Sequence, residues 1–391
     1  MSNFIWQVSV FGDQIYAFTD AGISVSNNLG KNWVTVQDPL FGAKHITRDG
    51  GGDSNSCILF TGVFGGTSAP IVADTLGSAN PWERKTTSDG LGSNFVIGVY
   101  KDASNGNVYA ATTGGLGIST DGGVTFTNKT TADGLGGNFV RKVYAKGDDI
   151  YAATSNGLGI STDGGVTFTN KTTADGLGSD GLRGIAVIGN HVYVATDDGV
   201  SISDNGGSSF SNRTTADGLP SNTINQIAAF DFFGINYIYA ATAQGLAVSS
   251  DEGLSWIVYN SGTPGYASGS NTSTVFVQED YSGVIHIFAG TVNWGLSVSP
   301  DNGTTWTTYT NANTSGGLAS DQVQGVSAGP NNNDIYVATT AGLSILSSGT
   351  WTTKNTTTAG LGSNTVFDVY RKDCRVFAAT ASGLSIADNY S

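Results

Sequence analysis

The string GLGISTDGGVTFTNKTTADGLG occupies residues 115–136 and returns unchanged at 157–178, an offset of 42 residues. A repeat of that length builds one supersecondary unit, which must stack on its neighbours to bury its apolar face. Looser copies carry the same glycine before an apolar run, at Gly22, Gly115, Gly157, Gly199, Gly245, Gly295, Gly342 and Gly383, and an eroded copy surrounds Ile71 in PIVADTLGSANPW. That makes nine copies.

Each copy resolves into four short β-rich runs separated by turn signals. In the unit around Asp163, residues 139–145 read as the inner strand, 150–154 as the second, 158–162 as the third and 167–172 as the outer one. Gly-Asp-Asp, Ser-Asn-Gly and Asp-Gly-Gly supply the turns between them. The second run, Ile-Tyr-Ala-Ala-Thr and its variants, carries small residues that suit close packing of one sheet on the next. No sustained 3.6-residue period supports a helical solenoid.

These features predict an all-β fold: a single β-propeller of about nine four-stranded blades over residues 1–391, with the last blade three-stranded. The repeat units fall near 3–43, 44–93, 94–137, 138–179, 180–221, 222–272, 273–321, 322–363 and 364–391. Eight blades is the alternative, with the eroded second unit as an insertion. Because the chain stops after a third strand in its last unit, an open edge is expected there, through which a second copy or a partner strand could add.

The turn between third and outer strands resembles the Asp-box of BNR-repeat propellers, S-x-D-x-G-x-x-[FW]. Four copies keep the pattern: Ser119, Asp121, Gly123 and Phe126; Ser161, Asp163, Gly165 and Phe168; Ser249, Asp251, Gly253 and Trp256; Ser299, Asp301, Gly303 and Trp306. Asn28 and Asn205 stand at the Asp position in two more. The chemistry of the box reads as structural, since a carboxylate or amide closes a turn on backbone N–H groups and the aromatic anchors it. The connectors, of which Gly218-Leu-Pro-Ser-Asn-Thr-Ile matches best, resemble two-component-regulator propeller repeats. Both resemblances imply a fold more than an activity.

Composition narrows the function. Seventeen basic residues against 31 acidic ones leave a net charge of -14, which repels a phosphate backbone, so no nucleic-acid partner is expected. No Sec-type signal and no apolar run long enough to span a membrane is visible, so membrane insertion is not expected and the compartment stays open. Cys57 and Cys374 are too far apart in sequence for a C-x-x-C site, and His45, His191 and His286 are isolated, so no metal or cofactor is expected. The oxygen-rich loop at 49–55 lacks the EF-hand spacing for calcium.

A sialidase arginine triad with its F/Y-R-I-P motif is missing, so no catalytic residues are assigned. Asp89, Asp133, Asp175 and Asp217 recur in the connectors and read as Asp-Gly turns. As rim carboxylates they keep open an alternative, a glycoside hydrolase or lyase. A second alternative is an intracellular assembly factor.

Ligand contacts are expected where the repeat fails: Trp294 and Asn293 in one turn, Asp197 with Asp198, Gln244, and Tyr266 in the long loop 261–274. The function expected from these features is a non-catalytic binding or assembly scaffold that presents rim loops to a carbohydrate or protein partner, in a surface or virion assembly.

Overall fold

The computed structural model describes residues 82–388, apart from 281, 330–333 and 373–374, and seven strands nearer the amino terminus. The chain divides into two compact units, residues 1–79 with 389–391 and residues 80–388. In the first, Ile5–Phe11, Gln14–Thr19, Gly22–Ser26 and Val34–Val36 form one antiparallel four-stranded sheet, and Ala43–Arg48, Ile58–Phe64 and Thr67–Ile71 form a three-stranded one. Asn28, the loop at 49–55, Cys57 and Cys374 lie outside the described residues.

The second unit is an all-β propeller of seven four-stranded blades, not about nine. Six blades are unbroken antiparallel meanders whose innermost strands are Val96–Lys101, Val140–Lys146, Leu182–Ile188, Ile224–Phe232, Thr272–Glu279 and Val323–Ala328. The seventh contains Val366–Lys372, Arg375–Thr380 and Gly383–Asp388, and its outermost strand is Trp82–Lys85. Ala387 pairs with Trp82, Ile386 with Glu83, Ser385 with Arg84 and Leu384 with Lys85. The last blade is therefore complete, and the edge expected to be open is covered by the run that ends the eroded second repeat. Leu91, Val96 and Val108 of the first blade share one apolar cluster with Phe377, Leu384 and Ile386 of the seventh, which closes the ring.

The repeated sequence explains the blade. All five residues of Val108–Thr112 are buried, and its alanines let neighbouring sheets approach closely. The threonine ending each second strand donates its hydroxyl to the carbonyl of the glycine that opens the third, at 2.7–2.9 Å in all seven blades. This bond closes the inner turn, which is why the motif ends in Thr.

The turns between third and outer strands close as their chemistry requires. Asp163 accepts from the Ser161 hydroxyl at 2.7 Å, the Thr167 N–H at 3.0 Å and the Thr167 hydroxyl at 2.6 Å. Ser161 in turn accepts from the Gly165 N–H at 2.9 Å. Asn205 reproduces this closure with its amide, accepting from Ser203 and Ser209.

Connectors join the blades. Thr131–Asp133 is a short 3-10 helix with a capping box: the Asp133 carboxylate accepts from the Thr130 N–H at 2.8 Å, and the Thr130 hydroxyl accepts from the Ala132 N–H. Gly134 follows at φ 99°, where a Cβ would lie 2.0 Å from the Phe168 carbonyl oxygen, so only glycine fits. The Asp133 carbonyl accepts from the Phe168 N–H at 2.8 Å, fastening the connector to the outer turn of the blade it enters.

Candidate functional site at the channel mouth

The innermost strands surround the channel, and each begins with a β-bulge. The pairing register skips one residue between Val96 and Gly98, Val140 and Lys142, Leu182 and Gly184, Ile224 and Gln226, Thr272 and Thr274, Val323 and Gly325, and Val366 and Asp368. A bulge leaves its extra residue out of the ladder and re-aims its side chain. The skipped residues are Ile97, Arg141, Arg183, Asn225, Ser273, Gln324 and Phe367, and all seven line one cavity of about 310 Å³. The residue before it is Val, Leu or Ile in six blades and Thr272 in the other, while the skipped position takes six different side chains in seven blades and the residue after it also varies, Lys142, Gln226 and Asp368 joining the lining. A position outside the ladder that changes from blade to blade in one shared cavity is what a recognition surface requires.

The mouth is two-sided. Ile97 and Phe367 form an apolar arc across the closure seam, and Phe95 lies against Phe367 with ring centroids 4.8 Å apart. The second and third blades bring basic residues. Lys142 Nζ pairs with Asp368 Oδ2 at 2.7 Å, and Arg183 Nε donates to Asp197 Oδ1. Arg141 has no carboxylate partner; its guanidinium sits 4.9 Å above the Phe139 ring, and its buried Nε has no hydrogen-bond partner. Burial, and then the nearby Arg183, pull the Arg141 pKa below the ordinary arginine range.

The predicted contacts fall on both sides of this picture. Asp197 reaches the mouth through Arg183. Val292 lines the cavity and donates its N–H to the Asn271 carbonyl; Asn293 and Trp294 follow it in the chain, and the Trp294 ring lies against Gly269 of the long loop. Asn293 accepts from Gln322 at 2.9 Å, and Trp294 is 49% exposed. Asp198 accepts from the Asn222 amide at 2.9 Å, and Gln244 is exposed with its N–H on the Thr242 hydroxyl. Tyr266 corrects the expectation of a rim contact. It is buried, shares a 2.8 Å hydrogen bond with Thr272 and meets Trp306 edge-on, so it packs the long loop down.

The connector carboxylates are committed elsewhere. Asp133 and Asp175 cap their short helices and lie 3.6 and 3.3 Å from Lys129 and Lys171. The backbone N–H of the capping threonine, more than the lysine, holds each below the usual carboxylate range. That direction is opposite to the one a general acid needs. Among the described residues, no group of three His, Cys, Asp or Glu side chains is placed to hold a metal, and no helix is long and apolar enough to cross a membrane.

Arg141, Arg183 and Phe367 were not singled out in the sequence. The signal was there, as variation in one column of the repeat, but it shows only once the bulge marks that column as unpaired.

No family model matches the chain, and no curated protein is detectably similar to it in sequence. Solved structures are similar in fold. The extracellular domain of a B. thetaiotaomicron protein assigned to the hybrid two-component systems matches with a TM-score of 0.62 at 19% identity, over 80% of this chain and 42% of that one. YCF48 bound to D1 peptide matches with a TM-score of 0.56 at 14% identity, over 80% of this chain and 98% of that one. PorZ, a surface component of the type-IX secretion system of Porphyromonas gingivalis, matches with a TM-score of 0.55 at 15% identity, over 98% and 62%. The chain thus spans under half the length of the first of these. At such identities the likeness shows the β-propeller fold alone.

Proposed function

We propose that the ring is a non-catalytic binding scaffold that receives a carbohydrate or protein partner in its channel mouth. The observation that carries this is the circle of seven bulged side chains, one per blade, that vary within an otherwise regular repeat and share one cavity. The turns at Asp121, Asp163, Asp251 and Asp301 support reading the chain as an Asp-box propeller, in which the box would build blades and the rim would supply specificity. The extracellular and surface origin of two structural neighbours supports a surface or virion assembly as the setting, and the peptide bound to a third supports a protein among the candidate partners.

Glycan and peptide arrays probed with the full chain test this proposal. Retention of a ligand class by the wild type, lost in Phe367→Ala and Gln324→Ala, is the expected result. Retention unchanged in both variants overturns the assignment to the mouth.

A further inference from the structure

The mouth carries a charge pattern that its own residues leave unresolved. Arg141 and Arg183 occupy the equivalent bulge of adjacent blades, so two like charges face the same cavity in a chain whose net charge is -14. Arg183 pairs with Asp197 and Lys142 with Asp368, while Arg141 makes no ion pair and shares the Asp197 carboxylate only at longer range. With three cations and two carboxylates, the mouth is left with one net positive charge, and its unmatched group is a planar donor fork with a buried, unpartnered Nε. A guanidinium matches a carboxylate through two parallel hydrogen bonds from its nitrogens. One surplus charge balances a monoanion and would leave a doubly charged phosphate uncompensated.

The remainder of the lining is amide and hydroxyl on one side, from Asn225, Gln324 and Ser273, and apolar on the other, from Ile97 and Phe367. Amides and hydroxyls both donate and accept, which suits ring hydroxyls, while an apolar wall suits the C–H face of a sugar. Trp294, two residues along the chain from the lining residue Val292 and half-exposed, offers a second flat surface for a neighbouring sugar unit.

We infer that the channel mouth is a uronate-binding site, in which Arg141 and Arg183 hold the carboxylate of an acidic sugar while Ile97 and Phe367 pack against its ring. This rests on the proposal that the mouth is where the partner binds.

Calorimetric titration of the full chain with digalacturonate, free galacturonate, the neutral disaccharide galactobiose and a glutamate-containing tripeptide tests it. Digalacturonate is expected to bind, at least tenfold more tightly than galactobiose. Arg141→Gln and Arg183→Gln should each weaken binding by about 10- to 100-fold, the range for a hydrogen bond to a charged group, with the unfolding midpoint retained. Binding should also weaken as salt rises. Comparable affinity for free galacturonate would assign the site to single uronic acids, and binding of the disaccharide alone to uronate in a chain; both uphold the inference. Tighter binding of the tripeptide with the same arginine dependence would overturn the sugar assignment. Equal binding of neutral and acidic disaccharides, insensitive to Arg141→Gln but lost in Phe367→Ala, would overturn the anion site and leave the mouth standing. No binding of any probe by the wild type would overturn the inference, while the arrays decide separately on the mouth.

Discussion

Lys142 of the second blade places its Nζ 2.7 Å from Asp368 Oδ2 of the seventh, reaching across the first blade to do so. Asp368 is 5% exposed and also accepts from the Val99 N–H of the first blade at 3.1 Å. One carboxylate thus joins three consecutive blades at the seam where the ring closes. Asp368→Ala strands the Val99 N–H and the Lys142 ammonium, and is expected to cost about 2–3 kcal/mol, less than a fully buried pair because Lys142 keeps some water. Urea unfolding reads this as a lower midpoint at constant slope; a change under about 0.5 kcal/mol would show that the pair is not a seam element.

The outer strand of the seventh blade predicts a contrast between two tryptophans. Trp82 is buried in a cluster with Leu361, Val376 and Ala387, whereas Trp294 is half-exposed. Trp82→Ala is expected to destabilise the ring by about 3–5 kcal/mol. Trp294→Ala should stay within about 0.5 kcal/mol, as exposed positions do. Equal effects in denaturant unfolding would contradict the strand assignment of 82–85.

Acid should act through the turns closed by Asp121 and Asp163. Hydrogen bonds, chiefly from the Ser119 hydroxyl for Asp121 and the Thr167 hydroxyl for Asp163, hold both carboxyls well below the ordinary range. A folded pKa below the unfolded value of about 3.9 contributes stability that is complete above the unfolded pKa and is lost as pH falls through the folded one. Melting temperature should therefore be insensitive to these groups from pH 7 to about 5, and fall below about pH 4. Asp121→Asn with Asp163→Asn should still fold, since Asn205 closes the same turn with an amide, but should lower the neutral melting temperature and flatten the acid limb. An unchanged acid limb would assign acid sensitivity to other carboxylates.

Asp133 is a cap, so its loss should register in stability and not in recognition. Asp133→Ala removes the acceptor for the Thr130 N–H and is expected to cost about 0.5–1 kcal/mol, with ligand retention on the arrays unchanged. Lost retention at unchanged stability would place this carboxylate in a binding role.

The blade was legible in the sequence because its determinants are local. The runs read at 150–154 and 158–162 lie within a residue of Asp149–Thr154 and Gly157–Ser161, since Ala-Ala-Thr and Asp-Gly-Gly close turns with neighbours a few residues away. The blade count was not legible, because it depends on Trp82–Lys85 pairing with Gly383–Asp388, a contact between distant parts of the chain that no periodicity encodes. Counting every repeat as a blade gave two too many and left the last one falsely open. Trp294 is conspicuous in the sequence because it stands in a turn where the sibling repeats carry small residues. Arg141 and Arg183 were missed because a bulge breaks the two-residue alternation by one place, and their position looked like an ordinary strand residue. Tyr266 stands in a long loop that reads as a ligand contact, yet Thr272 and Trp306 fold that loop inward.

The seven-bladed closure places every residue of the mouth, and carbodiimide coupling tests it most directly, because that reagent joins an amine to a carboxylate where the two already touch. After coupling of the full native chain and proteolysis, mass spectrometry should find the peptide containing Lys142 linked to the peptide containing Asp368. Lys142 coupled to some other carboxylate, with the Asp368 peptide unlinked, is what a ring with further blades between these strands would produce, and it would contradict the closure described above.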